Sequence, residues 1–176
     1  HIVCGIVEHI ERAGIHSGDS SFMLPSQTLS DEILAQIEND TKKLLVACGV
    51  RGLMNVQYAV RKGEVFVLEV NPRASRSVPF ISKITGVPWA KVAARVMAGE
   101  NIQSLAENGL YGPVNCFRNY CKADSLLPYV AVKQSVFPFI KFPGTDAVLG
   151  PEMKSTGEVM GIDITASGGF SRAQKA

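Results

Sequence analysis

Asn55, Gln57, Glu69 and Asn71 place amide and carboxylate oxygens at alternate positions of two neighbouring strand-like runs. Side chains alternate across a strand, so within residues 53–60 Asn55 and Gln57 share one face, and Met54, Val56, Tyr58 and Val60 take the other. Within residues 65–71, Glu69 and Asn71 lie on one face, opposite Phe66, Leu68 and Val70. A hairpin that sets Gln57 against Glu69 and Asn55 against Asn71 keeps polar with polar and apolar with apolar; a slip of one residue mixes both faces. That register also pairs Tyr58 with Leu68 and Val60 with Phe66, and it needs an odd loop, most simply Lys62-Gly63-Glu64 with Gly63 at positive φ. All the polar donors are oxygens, the ligand type hard Mg²⁺ accepts. Arg73 and Arg76 follow directly, and cations beside such a cluster suit a substrate with several negative oxygens, such as phosphate. The plain alternative is a solvated hairpin face with surface arginines.

The elements that must hold this hairpin are read from periodicity and punctuation. A strand is expected over residues 2–10, then a loop, Ala13-Gly14-Ile15-His16-Ser17-Gly18-Asp19-Ser20, whose glycines permit close backbone approach to a ligand. A short strand over 21–24 closes at Pro25. A helix over 30–48 has Ser30 or Thr28 as cap, Asp31 and Glu32 in its first turn, and Gly49 as its stop. Its stripe is Ile33, Leu34, Ile37, Thr41, Leu44, Leu45 and Cys48. Short helices are expected over 77–84, from Pro88 to Gly99, and over 102–107. Residues 109–127 read as loop. A strand over 130–139 carries Pro138 at an edge or bulge; another runs over 153–162. Beyond Ile164 a frayed tail is expected.

The chain of 176 residues is 46% apolar and 19% charged, with a net charge of +2, which is enough for a core and too little for a nucleic-acid footprint. No apolar run reaches membrane-spanning length, and no leader peptide is evident. Cys4, Cys48, Cys116 and Cys121 form no zinc-spaced pair; Cys4 and Cys48 suit buried free thiols in a reducing compartment, and a disulfide between Cys116 and Cys121 is the alternative for the other two. The start at His1, inside an expected strand, suggests part of a longer polypeptide.

Against this reading, the chain resembles the carbamoyl-phosphate synthase large-chain family, in the later part of the second ATP-grasp module. The resemblance rests on six stretches in family order: residues 13–20, 50–57, 68–76 (Leu-Glu-Val-Asn-Pro-Arg-Ala-Ser-Arg), 82–88, 90–99 and 150–161. Arg51-Gly52-Leu53-Met54, Val78-Pro79-Phe80 and Ser155-Thr156-Gly157-Glu158-Val159-Met160 are similar to the half that phosphorylates carbamate rather than the half that activates bicarbonate. The resemblance implies an α+β fold, the C-terminal lobe of an ATP-grasp domain, with a mostly antiparallel sheet carrying the site on one face and helices on the other. It assigns residues 1–163 to that partial domain and 164–176 to a tail leading into further sequence. It implies that Gly14, Ile15, His16 and Ser17 contact ATP. Gln57, Glu69 and Asn71 would hold Mg²⁺ or Mn²⁺, two ions per site with Glu69 bridging them, and Gln57 and Glu69 would count with the nucleotide contacts as well. Arg73 and Arg76 would hold the transferring phosphate and the carbamate. His16 could instead cap its own backbone, Ser17 could serve only to shape the turn, and Asp19 would cap that turn rather than touch substrate. Lys154 and Glu158 are expected in surface or inter-module contacts.

The implied partners are carbamate and ATP, the rest of the large chain and the small glutaminase chain. Neither nucleic acid nor a membrane is expected, and the location is the cytoplasm. The implied pathways are arginine and pyrimidine biosynthesis. A partial module is expected to expose an apolar docking patch, a route to self-association, and not to turn over ATP alone. Other readings of the same residues are another ATP-grasp ligase or carboxylase, or an ATP-grasp-derived lobe that serves only as an assembly surface.

Overall fold

The computed structural model describes residues 1–111 and 127–176 and contains two antiparallel sheets with helices packed around them. The expected single sheet is therefore divided. One sheet has four strands in the order β1 (Glu8–His9), β2 (Phe22–Leu24), β5 (Val130–Val136), β6 (Gly157–Asp163). The other is the hairpin of β3 (Asn55–Arg61) and β4 (Glu64–Asn71).

Local chemistry explains the helices. α1 (Asp31–Ala47) starts where the Ser30 hydroxyl accepts the Ile33 N–H and ends before Gly49 at φ 59°. It buries Leu34 and Ile37, and its Thr41 hydroxyl meets the Tyr58 hydroxyl at 2.8 Å, tying helix to hairpin. α2 (Ser77–Thr85) stops at Gly86 in the left-handed region. α3 (Trp89–Met97) follows Pro88, and α4 (Ile102–Glu107) is capped by Asn101. Phe80, Ile81, Ile84, Trp89, Val92 and Leu105 from these helices meet Phe22, Leu24 and Ala131 of the larger sheet in one core. Met97, at the end of the α3 stripe, is 66% exposed.

Several expectations change. Residues 2–7 are not strand: Ile2, Cys4 and Val7 pack half-buried against the core without ladder pairing, and Glu8–His9 pair with β2. The C-terminal segment is not frayed. α5 (Ala166–Lys175), capped by the Thr165 hydroxyl, packs on β5 and β6. A Cβ on Gly161 would stand 2.0 Å from the Gly169 carbonyl oxygen, so helix and strand meet backbone to backbone. Of the thiols expected to be buried, Cys48 is exposed and Cys4 half-buried. Most of the 109–127 segment, with Cys116 and Cys121, lies outside the described residues.

Candidate functional site

The hairpin keeps the expected register where the polar residues lie and loses it further out. Asn55 faces Asn71, Val56 faces Val70 and Gln57 faces Glu69. Between Gln57 and Tyr58 the register shifts, so Tyr58 faces Val67 and Val60 faces Val65 rather than Leu68 and Phe66. Leu68 is the extra residue of a bulge. The loop is correspondingly even: Lys62 (φ 53°) and Gly63 (φ 81°) form a two-residue turn with both central residues left-handed. The expected three-residue loop and the observed turn plus bulge give the same pairing at the polar end by different routes.

That end meets the 14–20 loop. One Gln57 amide N–H group donates to Glu69 Oε2 at 2.7 Å and the other to Ser17 Oγ at 3.2 Å. The amide thus spends its hydrogens within the protein, with its carbonyl oxygen left as an acceptor. Glu69 is exposed, Asn71 half-buried, and the backbone carbonyl of Asn71 accepts the Arg73 N–H at 2.8 Å, which turns the chain toward the arginines. Arg73 is exposed and donates to the carbonyl of its neighbour Ala74. Arg76 is half-buried and donates through Nη1 to Ser155 Oγ at 3.1 Å.

In the loop, Gly14 is exposed at φ 102°, a backbone shape that favours glycine, while Ile15 is half-buried. Exposed His16 accepts the Gly18 N–H on Nδ1 at 3.0 Å, the backbone-capping arrangement, which leaves Nε2 for other contacts. Gly18 is glycine for a different reason from the one expected: it is buried, and a Cβ there would sit 2.7 Å from Met153 Sδ. Its close approach is to the protein.

Behind the loop lies a polar cluster that the sequence did not reveal. Lys133, 1% exposed, donates from Nζ to the carbonyls of Gly18 and Ser20, each at 2.9 Å, and to Ser135 Oγ at 2.8 Å. Asp19, also 1% exposed, does not cap its own turn; its carboxylate accepts the N–H groups of Lys154 and Ser155, both at 2.8 Å. Burial works against the Asp19 anion, but the Ser155 hydroxyl and those N–H groups outweigh it, with help from His16, and hold its pKa below the usual carboxylate range. Burial pushes the Lys133 ammonium down, partly offset by Glu158. Glu158 lies across from Ser135 and buries Oε2 without a hydrogen-bond partner, while Lys154 turns away to the carbonyls of Asp146 and Val148. A lone lysine inside an apolar strand was the available signal for this cluster; Ser155 offered none.

Residues 1–105 match the family described as "Carbamoyl-phosphate synthase L chain, ATP binding domain". The chain belongs to that family. Its ATP-dependent ligases include the carbamoyl phosphate synthase large chains of Brucella melitensis, 54% identical over 98% of this chain, and Pasteurella multocida, 55% identical over the same share. This chain spans only 14% of the former and 15% of the latter. Among solved structures, a single-chain, multi-domain long-chain acyl-CoA carboxylase superposes over 89% of this chain and 18% of its own, with a TM-score of 0.62 at 17% identity. The biotin carboxylase domain of a single-chain bacterial carboxylase covers 83% of this chain and 36% of its own, at 0.53 and 18%. At such low identity these show the fold alone: the chain adopts the C-terminal lobe of an ATP-grasp domain. No helix among the described residues is long and apolar enough to cross a membrane.

Among the described residues no three His, Cys, Asp or Glu side chains gather as a metal cluster. The hairpin offers one carboxylate, Glu69, with amide oxygens from Gln57 and Asn71. That donor set fits a hard divalent ion that brings most of its ligands with it as phosphate oxygens and water, the habit of Mg²⁺.

Proposed function

We propose that this chain is the phosphate- and metal-holding lobe of the second synthetase half of a carbamoyl-phosphate synthase large chain, where ATP phosphorylates carbamate. The observation that supports it most directly is the Gln57 amide, which joins the nucleotide-loop residue Ser17 to Glu69 in one contact chain. Gly14, Ile15, His16 and Ser17 face the nucleotide. Gln57, Glu69 and Asn71 would hold Mg²⁺ or Mn²⁺. When bound, the ions neutralise charge on the phosphates.

The rest is positioning by this chain's own groups. Phosphoryl transfer asks for placement and charge compensation more than for a protein nucleophile. Arg73 reaches outward and Arg76 stands on Ser155, so two planar guanidinium groups flank the carboxylate end of β4 and can fork onto oxyanions. The sequence words around residues 51–54, 78–80 and 155–160 favour carbamate over bicarbonate as acceptor. We assign the remaining machinery to the rest of the large chain and the small glutaminase chain, in the cytoplasm, with the product feeding arginine and pyrimidine synthesis. These 176 residues alone are expected to be inactive.

Two measurements test this reading. In the large chain carrying this segment, Glu69→Ala should lower carbamoyl phosphate formation by about 100-fold or more; a loss of less than about tenfold counts against the site. In the 176-residue chain, ATP with Mg²⁺ should raise the thermal midpoint while Mg²⁺ alone should not, because a single carboxylate binds the bare ion weakly. An unchanged midpoint with both would favour the assembly-surface reading.

A further inference from the structure

Ser155 is 4% exposed, in the segment that leads into β6, and its hydroxyl touches both halves of the candidate site. It accepts Nη1 of Arg76 at 3.1 Å and donates to the Gly18 carbonyl at 3.0 Å. Gly18 follows Ser17, which receives Gln57, which in turn reaches Glu69. Glu69 and Arg76 are joined by the chain itself. The result is a closed circuit: Glu69, Gln57, the Ser17-Gly18 backbone, Ser155, Arg76, and back along residues 69–76.

We propose that Ser155 is a positioning residue for phosphoryl transfer, fixing the Arg76 guanidinium against the nucleotide loop so that loop, carboxylate and cation hold one geometry. The inference rests on the reading of Arg76 as an oxyanion-binding group. A guanidinium has five N–H donors, and anchoring one on a buried hydroxyl sets its plane while the others stay free for an anion. Other contacts already secure the surrounding backbone. Asp19 accepts the N–H groups of Lys154 and Ser155, and the Thr156 N–H reaches the Val136 carbonyl at 3.0 Å. The Gly18 carbonyl also receives Lys133 Nζ at 2.9 Å and Ser135 Oγ at 2.7 Å. Deleting the Ser155 oxygen therefore leaves the backbone contacts of loop and strand in place and releases Arg76, while withdrawing the hydroxyl's support of the Asp19 anion.

The test is steady-state kinetics of carbamoyl phosphate formation in the large chain carrying this segment, assembled with its glutaminase chain. Ser155→Ala should lower kcat by about ten- to a hundredfold with the KM for ATP within about threefold, the pattern of a misplaced group rather than a lost binding site. Arg76→Lys, which cannot keep the planar fork, should also lower kcat, and adding Ser155→Ala to it should cost less than about twofold more. Ser155→Cys keeps the volume with a weak donor and carries the same expectation, should Ser155→Ala fail to fold. Kcat within about twofold of wild type, or losses that multiply in the double variant, would overturn the inference while leaving the proposed function standing. A wild-type assembly that makes no carbamoyl phosphate from ATP would overturn both.

Discussion

The two walls of the site use similar polar groups to opposite ends. In the front wall, the Gln57 amide bonds to Glu69 and to Ser17, and Glu69 is exposed. In the back wall, Asp19, Lys133 and Ser155 are nearly inaccessible, and folding has already filled their hydrogen-bonding capacity. Buried polar groups must be satisfied by the protein, so the back wall is fixed scaffold. The front wall keeps unspent oxygens, and those are the atoms free to take a ligand. Polarity alone does not mark a functional residue; polarity left unsatisfied by the fold does.

This contrast breaks if back-wall substitutions are cheap or front-wall substitutions costly to the fold. Asp19→Ala should destabilise by about 3 kcal/mol, since it orphans the buried Ser155 N–H and the half-buried Lys154 N–H; denaturant titration measures it. The same residue fixes an acid response. Its pKa in the fold lies below the unfolded value, so its contribution is complete above about pH 4 and is lost as the pH falls through the folded value. Asp19→Asn should flatten that part of the stability profile, and an unaltered profile would assign the acid sensitivity elsewhere. Lys133→Met should cost about 1–3 kcal/mol by leaving the Ser20 carbonyl and Glu158 uncompensated. At the hairpin tip, Lys62→Asn should add up to about 1 kcal/mol, because Asn tolerates the left-handed backbone better. The smallest change belongs to Glu69→Ala, within about 0.5 kcal/mol of wild type in thermal or denaturant unfolding, despite the large functional loss expected of it.

The site hairpin was legible because polar and apolar residues alternate cleanly at its open end, from Asn55 to Gln57 and from Glu69 to Asn71. Toward the turn the pattern carries less information. Val65, Phe66, Val67 and Leu68 are all apolar, so neither face distinguishes itself and an extra residue leaves no trace. The helices showed through their punctuation, Ser30 and Gly49 around α1 and Pro88 and Gly99 around α3. α5 did not, because Gly168 and Gly169 have poor helix propensity. Gly169 sits there for proximity instead: a Cβ on it would lie 3.0 Å from Val132. The stretch at residues 2–7 failed in the other direction. Its apolar residues record burial against α2 and β2, which chain outside the ladder supplies as well as a strand does. Lys133 read as an ordinary strand residue, since the two carbonyls it serves are more than a hundred positions away, at Gly18 and Ser20.

The unpaired Leu68 divides the ribbon into two mechanically separate lengths. Near the open end, pairing is locked by the donors that a cation would need. Past the bulge, the strands run to the tip in a frame of their own. A residue gained or lost at the tip can therefore be absorbed by creating or erasing the bulge, and Gln57 stays opposite Glu69. The tip is free to drift in sequence and length while the Gln57–Glu69 end stays in place.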